Sequence, residues 1–115
     1  MRVKVFAERV EARRCEIEIV VDRFIAVCRR RPDVRAVYAC GSFATGKIGP
    51  RSDLDILVVR VTATVGIERG TDLAAEADLG IALDLIVVTP EEFAEKLPTT
   101  TFGQTWSTAR QVYTA

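Results

Sequence analysis

Ile17, Val20, Val21, Phe24, Ile25 and Cys28 recur at steps of three and four, the spacing of one apolar face on an α-helix. The pattern predicts a long helix from about Val3 to Arg30, ended by Pro32, which has no N–H to continue it. Cys15 to Ile19 also alternates apolar and polar like a strand, so the residues before Ile17 fit two periods. Arg29, Arg30 and Arg31 fall at the helix end, where cations suit the helix dipole, and that role is preferred to a phosphate patch. Val34–Cys40 is rich in β-branched and aromatic residues and reads as a strand running into Gly41-Ser42. Gly46, Gly49 and Pro50 mark a loop. Leu54–Val61 is a second strand, and Thr71–Leu79 a helix with Asp72 and Glu76 on its exposed side. Ala82–Thr89 is a third strand, nearly all apolar and therefore expected at the sheet centre. Thr89-Pro90-Glu91-Glu92 opens a further helix, with a hydroxyl cap, proline at the first position and a glutamate three residues after the cap. Pro98 is expected to stop it. Phe102–Arg110 is read as a last short helix.

With 115 residues, 49% of them apolar, the chain is expected to form one domain with a real core. Its sections are an N-terminal helix (1–31), a central unit (34–61) and a C-terminal strand with helices (82–115). Sixteen cations balance sixteen carboxylates, so no basic excess suggests a grip on a nucleic-acid backbone, and a small-molecule or protein substrate is favoured. No apolar run approaches membrane-spanning length and no signal peptide is apparent, which makes the cytoplasm the expected compartment. Three cysteines without a Cys-x-x-Cys pair argue against zinc or a disulfide framework. Cys15 and Cys28 look like helix-face packing residues. No histidine is present, so Ser-His and Cys-His nucleophilic schemes are excluded, and a bound metal must take oxygen ligands.

Asp53 and Asp55 stand two apart at the mouth of an apolar strand, so their side chains leave the same face. Carboxylates held side by side repel unless a cation lies between them, and carboxylate-only ligation points to Mg²⁺ or Mn²⁺. The residues alone leave open that Ser52-Asp53 caps a turn and that Asp55 faces solvent. Gly41-Ser42 follows the preceding strand, where glycine permits close approach of a phosphate and the next N–H groups and hydroxyl donate to it. Asp84 interrupts the apolar run Ala82–Val88; buried there, its charge costs several kcal/mol, on the order of the penalty for an unpaired ion. It therefore wants a partner, unless it sits solvated at the strand's frayed start. Gly41-x-x-x-x-Gly46-Lys47 approaches a P-loop, but Ile48 replaces the magnesium-binding hydroxyl and Gly49-Pro50 forbids the required helix, so that reading is rejected.

Gly41-Ser42-Phe-Ala-Thr-Gly46 followed by Ser52-Asp53-Leu-Asp55 resembles the signature of the DNA polymerase beta-like nucleotidyltransferases, and most nearly the minimal nucleotidyltransferases encoded beside HEPN-domain proteins. The likeness runs on through Leu83–Phe93 and weakly into Ala109–Tyr113, which looks like the family's closing strand. It implies an α+β, polymerase beta palm-like fold: a small mixed sheet with helices mainly on one face. It also implies that Gly41, Ser42 and Ser52 hold a nucleoside triphosphate, that Asp53 and Asp55 ligate two Mg²⁺ ions, and that Asp84 is metal ligand and general base. Many relatives have arginine where Thr45 stands, so the phosphate-contacting cation is absent or supplied by Lys47 or Arg51, which equally read as solvated loop charges. The implied activity is transfer of a nucleotide, AMP from ATP by preference, to a hydroxyl on a HEPN toxin, making the chain an antitoxin. Two alternatives stand beside it: a non-catalytic module that neutralises its partner by contact, and an antibiotic-modifying transferase, for which no acceptor pocket is evident. Self-assembly into a homo-oligomer is left open.

Overall fold

A computed structural model describes residues 2–50, 54–77, 83–95 and 109–115. The first element is α1 (Arg2–Arg29), and its helical period holds through the stretch that also alternates like a strand. Ile17 is buried there while Ile19, about 200° round the helix, is 58% exposed. Ile17, Val20, Val21, Phe24, Val27 and Cys28 form the buried face. Cys15 lies across the helix from this stripe and is exposed, so of the two helix cysteines only Cys28 packs.

Four strands follow: β1 (Val34–Cys40), β2 (Leu54–Arg60), β3 (Leu83–Val88) and β4 (Arg110–Thr114), in the sheet order β3-β2-β1-β4. β1 runs antiparallel to β2 and β4, and β3 parallel to β2, giving a mixed sheet. The parallel pair requires a crossover, supplied by a 3-10 turn at Gly66–Arg69 and by α3 (Thr71–Ala77). Val34, Val37, Ala39, Leu54, Ile56 and Val58 meet α1 together with Leu73 and Ala77 of α3, and this face holds the main core. On the other face Cys40 and Leu57 are covered by Tyr38, Ile86, Val88, Phe93 and Ala109, with the Tyr38 and Phe93 rings stacked at 5.3 Å.

β3 is therefore an edge strand, not the central one its composition suggests. Its apolar run reports two covered faces, Leu85 and Val87 toward the α1 side and Ile86 and Val88 toward Phe93. Coverage of faces says nothing of place within a sheet. Gly70, just before α3, fits against β3 because a side chain there would strike Leu85 and Val87 at 2.8 Å.

α4 (Pro90–Glu95) begins as its sequence prescribes. Thr89 N–H donates to Glu92 Oε1 at 2.9 Å, and Glu92 N–H donates to Thr89 Oγ1 at 3.2 Å, a reciprocal capping box. Ala109 and Arg110 are not helical: Arg110 opens β4, the closing strand, because pairing with β1 outweighs local helix propensity. The remainder of that expected helix, the stop at Pro98 and the end of the 71–79 helix lie outside the described residues. No helix among the described residues is long and apolar enough to cross a membrane.

The charged residues near the α1 terminus join elements. Arg31 donates to Asp72 at 2.8 Å and also to Glu76, fastening the turn after α1 to α3. Arg60, at the end of β2, donates to Asp33 at 2.5 Å, to both Asp72 oxygens at 2.8 and 2.9 Å, and to the Arg69 carbonyl at 2.8 Å. The hydrogen bonds from Arg60 above all, with the charges of Arg60 and Arg31, lower the Asp72 carboxyl from 3.8 to about 2. Asp72 and Glu76 thus sit on the outer side of α3 as expected, but as anchors rather than solvated charges.

Candidate active site

β2 carries Asp55 at its second position, and the register sets two neighbours beside it: Cys40 on β1 and Asp84 on β3. Since Asp55 and Asp84 are directly paired on parallel strands, their side chains leave the same face of the sheet. That face is the one opposite α1, shared with Leu57, Ile86 and Val88. Asp55 is half-buried and Asp84 exposed. Asp84 thus escapes the burial cost that its apolar neighbours in sequence suggest, because the residue is exposed. The pairing with Asp55 does hold, and it follows from register alone.

β1 ends one residue before Gly41, whose backbone (φ 69°, ψ −145°) lies in a region open in practice to glycine. A Cβ at this position would lie 2.6 Å from Asp55 Oδ2, so the main chain itself packs against the carboxylate. Ser42 then opens the short α2 (Ser42–Thr45), which closes at Gly46 in the left-handed conformation. Phe43 and Ile48 are buried and pin this loop to the core. The Arg110 guanidinium lies 5.5 Å from the Phe43 ring centre, so the closing strand also clamps the loop. Lys47 is exposed. Arg51, Ser52 and Asp53 lie outside the described residues.

Cys40 is the neighbour that sequence reasoning left without a role. Burial, and secondarily the negative charge of Asp55, push its thiol up to about 12, so the sulfur stays protonated beside the carboxylates. The one signal in the sequence was its position directly before Gly41-Ser42. Arg110 was likewise unassigned, although it lies within Ala109–Tyr113, the segment that resembles a closing strand.

The donor set suits a hard divalent cation. Asp55 and Asp84 offer carboxylate oxygens from adjacent strands. Among the described residues no three His, Cys, Asp or Glu side chains gather to hold a metal. Asp53 is the residue sequence reasoning adds to the pair. The arrangement presents two carboxylates next to a glycine-opened backbone turn, which matches the needs of chemistry at a phosphate.

Over residues 21–111 the chain matches the nucleotidyltransferase domain, and it belongs to that family. No curated protein matches it. Among solved structures it is similar to a toxin–antitoxin determined with AMP-PNP, at 22% identity and a TM-score of 0.57, covering 82% of this chain and 73% of that one. It is also similar to the toxin–antitoxin MntA-HepT, at 19% identity and a TM-score of 0.53, covering 85% of this chain and 73% of the other. These likenesses show that the fold is shared.

Proposed function

We propose that this chain is a metal-dependent nucleotidyltransferase that moves a nucleoside monophosphate, AMP by preference, from a triphosphate to a hydroxyl on a HEPN-domain toxin and so serves as its antitoxin. The observation that carries the reading is the register pairing of Asp55 with Asp84, with Gly41 packed against the Asp55 carboxylate. Membership of the nucleotidyltransferase domain family supports the reaction class. The toxin–antitoxin structures that share the fold, one of them with AMP-PNP, motivate the choice of partner and nucleotide.

In this reading Asp53, Asp55 and Asp84 hold Mg²⁺, two ions in the full site, with Mn²⁺ able to substitute. When bound, the metal neutralises the charge that gathers on the phosphate oxygens. The chain's own residues do the rest. The turn at Gly41-Ser42, with Ser52 and a cation from Lys47 or Arg51, cradles the triphosphate. Asp84, exposed and at the sheet edge, takes the proton from the acceptor hydroxyl. The acceptor oxygen attacks the α-phosphorus in line, the bond to the pyrophosphate oxygen breaks, and pyrophosphate leaves. An acceptor delivered on another protein suits a domain in which every described element serves the sheet and its two covered faces.

The test is incubation with magnesium, α-labelled ATP and the protein encoded beside this one. Label is expected on the neighbour, and Asp55→Asn or Asp84→Asn is expected to reduce it on the order of 10²-fold or more while the fold persists. Failure to transfer from any triphosphate, or undiminished transfer by the Asn variants, would overturn the proposal.

A further inference from the structure

α2 has a glycine on each side and little length of its own. Gly41 before it and Gly46 after it hold positive φ, 69° and 76°, and Gly41 has no side chain with which to cap the first turn. A helix of four residues supports itself poorly in water, so its orientation depends on what its side chains touch. Phe43 supplies such a contact: it is 8% exposed and belongs to the main core.

The Phe43 ring is not closed over on every side. With Val21, Ile25 and Val112 it lines a cleft of about 420 Å³, and the Arg110 guanidinium stands 5.5 Å from the ring centre. Arg110 opens β4 in register with Ala39, two residues before Gly41, so this cation is carried by backbone paired to the strand that enters the turn. Glu18 and Asp22 line the same cleft from α1, and Gln111 from β4. Even so, the Arg110 side chain makes no ion pair or hydrogen bond among the described residues, where its partner is the ring. Ala39 and Phe43 belong to the α1 side of the sheet, whereas Asp55 and Asp84 lie on the opposite face. The guanidinium is thereby placed to act on the carboxylate site through the turn and not by touching it.

We infer that Arg110 is a positioning residue for nucleotide binding: through the Phe43 ring it holds the Gly41-Ser42 turn in the orientation that receives the triphosphate. The inference rests on the nucleotidyltransferase reading above. A cation over an aromatic face at an exposed site shifts the balance toward the held state by about 2- to 5-fold. Nucleotide affinity falls by up to that factor when the binding-competent orientation is less populated. Once nucleotide is bound it holds the turn itself, so turnover at saturation is left nearly unchanged.

The test is a double-substitution cycle on the full chain, read by binding of Mn²⁺ with AMP-PNP and by the label-transfer assay. Arg110→Met keeps most of the stem at an exposed position, so the melting temperature is expected to stay that of the wild type. Its affinity for AMP-PNP should fall about 2- to 5-fold, and KM for ATP should rise by the same factor with kcat unchanged. Arg110→Lys should recover most of the affinity, because an ammonium also binds a ring face. Phe43→Leu removes the ring and should weaken binding as well, and adding Arg110→Met to it should change the affinity no further. Undiminished affinity in Arg110→Met would overturn the inference. So would an equal loss with and without the ring, the result of a guanidinium that touches phosphate directly. In both cases nucleotide uptake by the wild type would leave the nucleotidyltransferase reading standing, whereas a wild-type chain that takes up no nucleotide would overturn the two together.

Discussion

At position 41 a methyl group would stand 2.6 Å from an Asp55 oxygen, on a backbone whose φ of 69° already disfavours any side chain. Gly41→Ala therefore displaces the carboxylate or the turn. It is expected to cost about 1–3 kcal/mol in stability and to impair transfer more than it impairs folding, which parallel melting and label-transfer measurements would separate. The sequence made the glycine legible as a place for close approach, but assigned the approach to a phosphate alone. That the nearest atom is a carboxylate oxygen depends on which residue of β2 lies beside the end of β1. Register of that kind arises from pairing across the sheet, which no local pattern encodes. The same holds for Asp84: its position in an apolar run marked it as unusual, and the argument from burial was mistaken, yet the pairing with Asp55 emerged from the strand register.

Elements whose boundaries rest on local chemistry were read closely. β1 spans Val34–Cys40 as the pattern indicates, and α4 begins with the predicted cap, so Thr89→Ala should lower stability by about 1 kcal/mol in a denaturant titration. Placement among elements was read poorly. β3 went to the centre on composition and lies at the edge, and the ion network around Arg60 left no trace in spacing. Arg60 links the entry to β1, the end of β2 and the start of α3, and its side chain is only 11% exposed. Arg60→Gln should lower unfolding stability by about 2 kcal/mol, since charge-assisted bonds are lost and Asp33 and Asp72 are left less well paired. The acid side of the stability profile follows from Asp72. Its pKa is depressed, so its contribution is present above 3.8 and lost as pH falls toward 2. With the side chain 41% exposed, solvent screening reduces that contribution to about 1 kcal/mol. Unfolding followed between these pH values should show the loss in the wild type and a flatter profile in Asp72→Asn.

For the whole molecule, the two faces of one sheet divide the work. α1 and α3 supply the hydrophobic core on one side, and the other side presents Asp55 and Asp84 between the Gly41 turn and the sheet edge. The central claim is that carboxylates from β2 and β3 share a divalent cation in service of nucleotide transfer. Mn²⁺ titration followed by electron paramagnetic resonance, with a non-hydrolysable ATP analogue present, tests this without requiring an acceptor. The account predicts saturable Mn²⁺ uptake by the wild-type chain, competed by Mg²⁺ and weakened on the order of 10-fold or more by either Asp55→Asn or Asp84→Asn, on the scale of changes that disturb a metal site. Equal uptake by Asp84→Asn and wild type would contradict it, because the β3 carboxylate would then take no part in holding the metal.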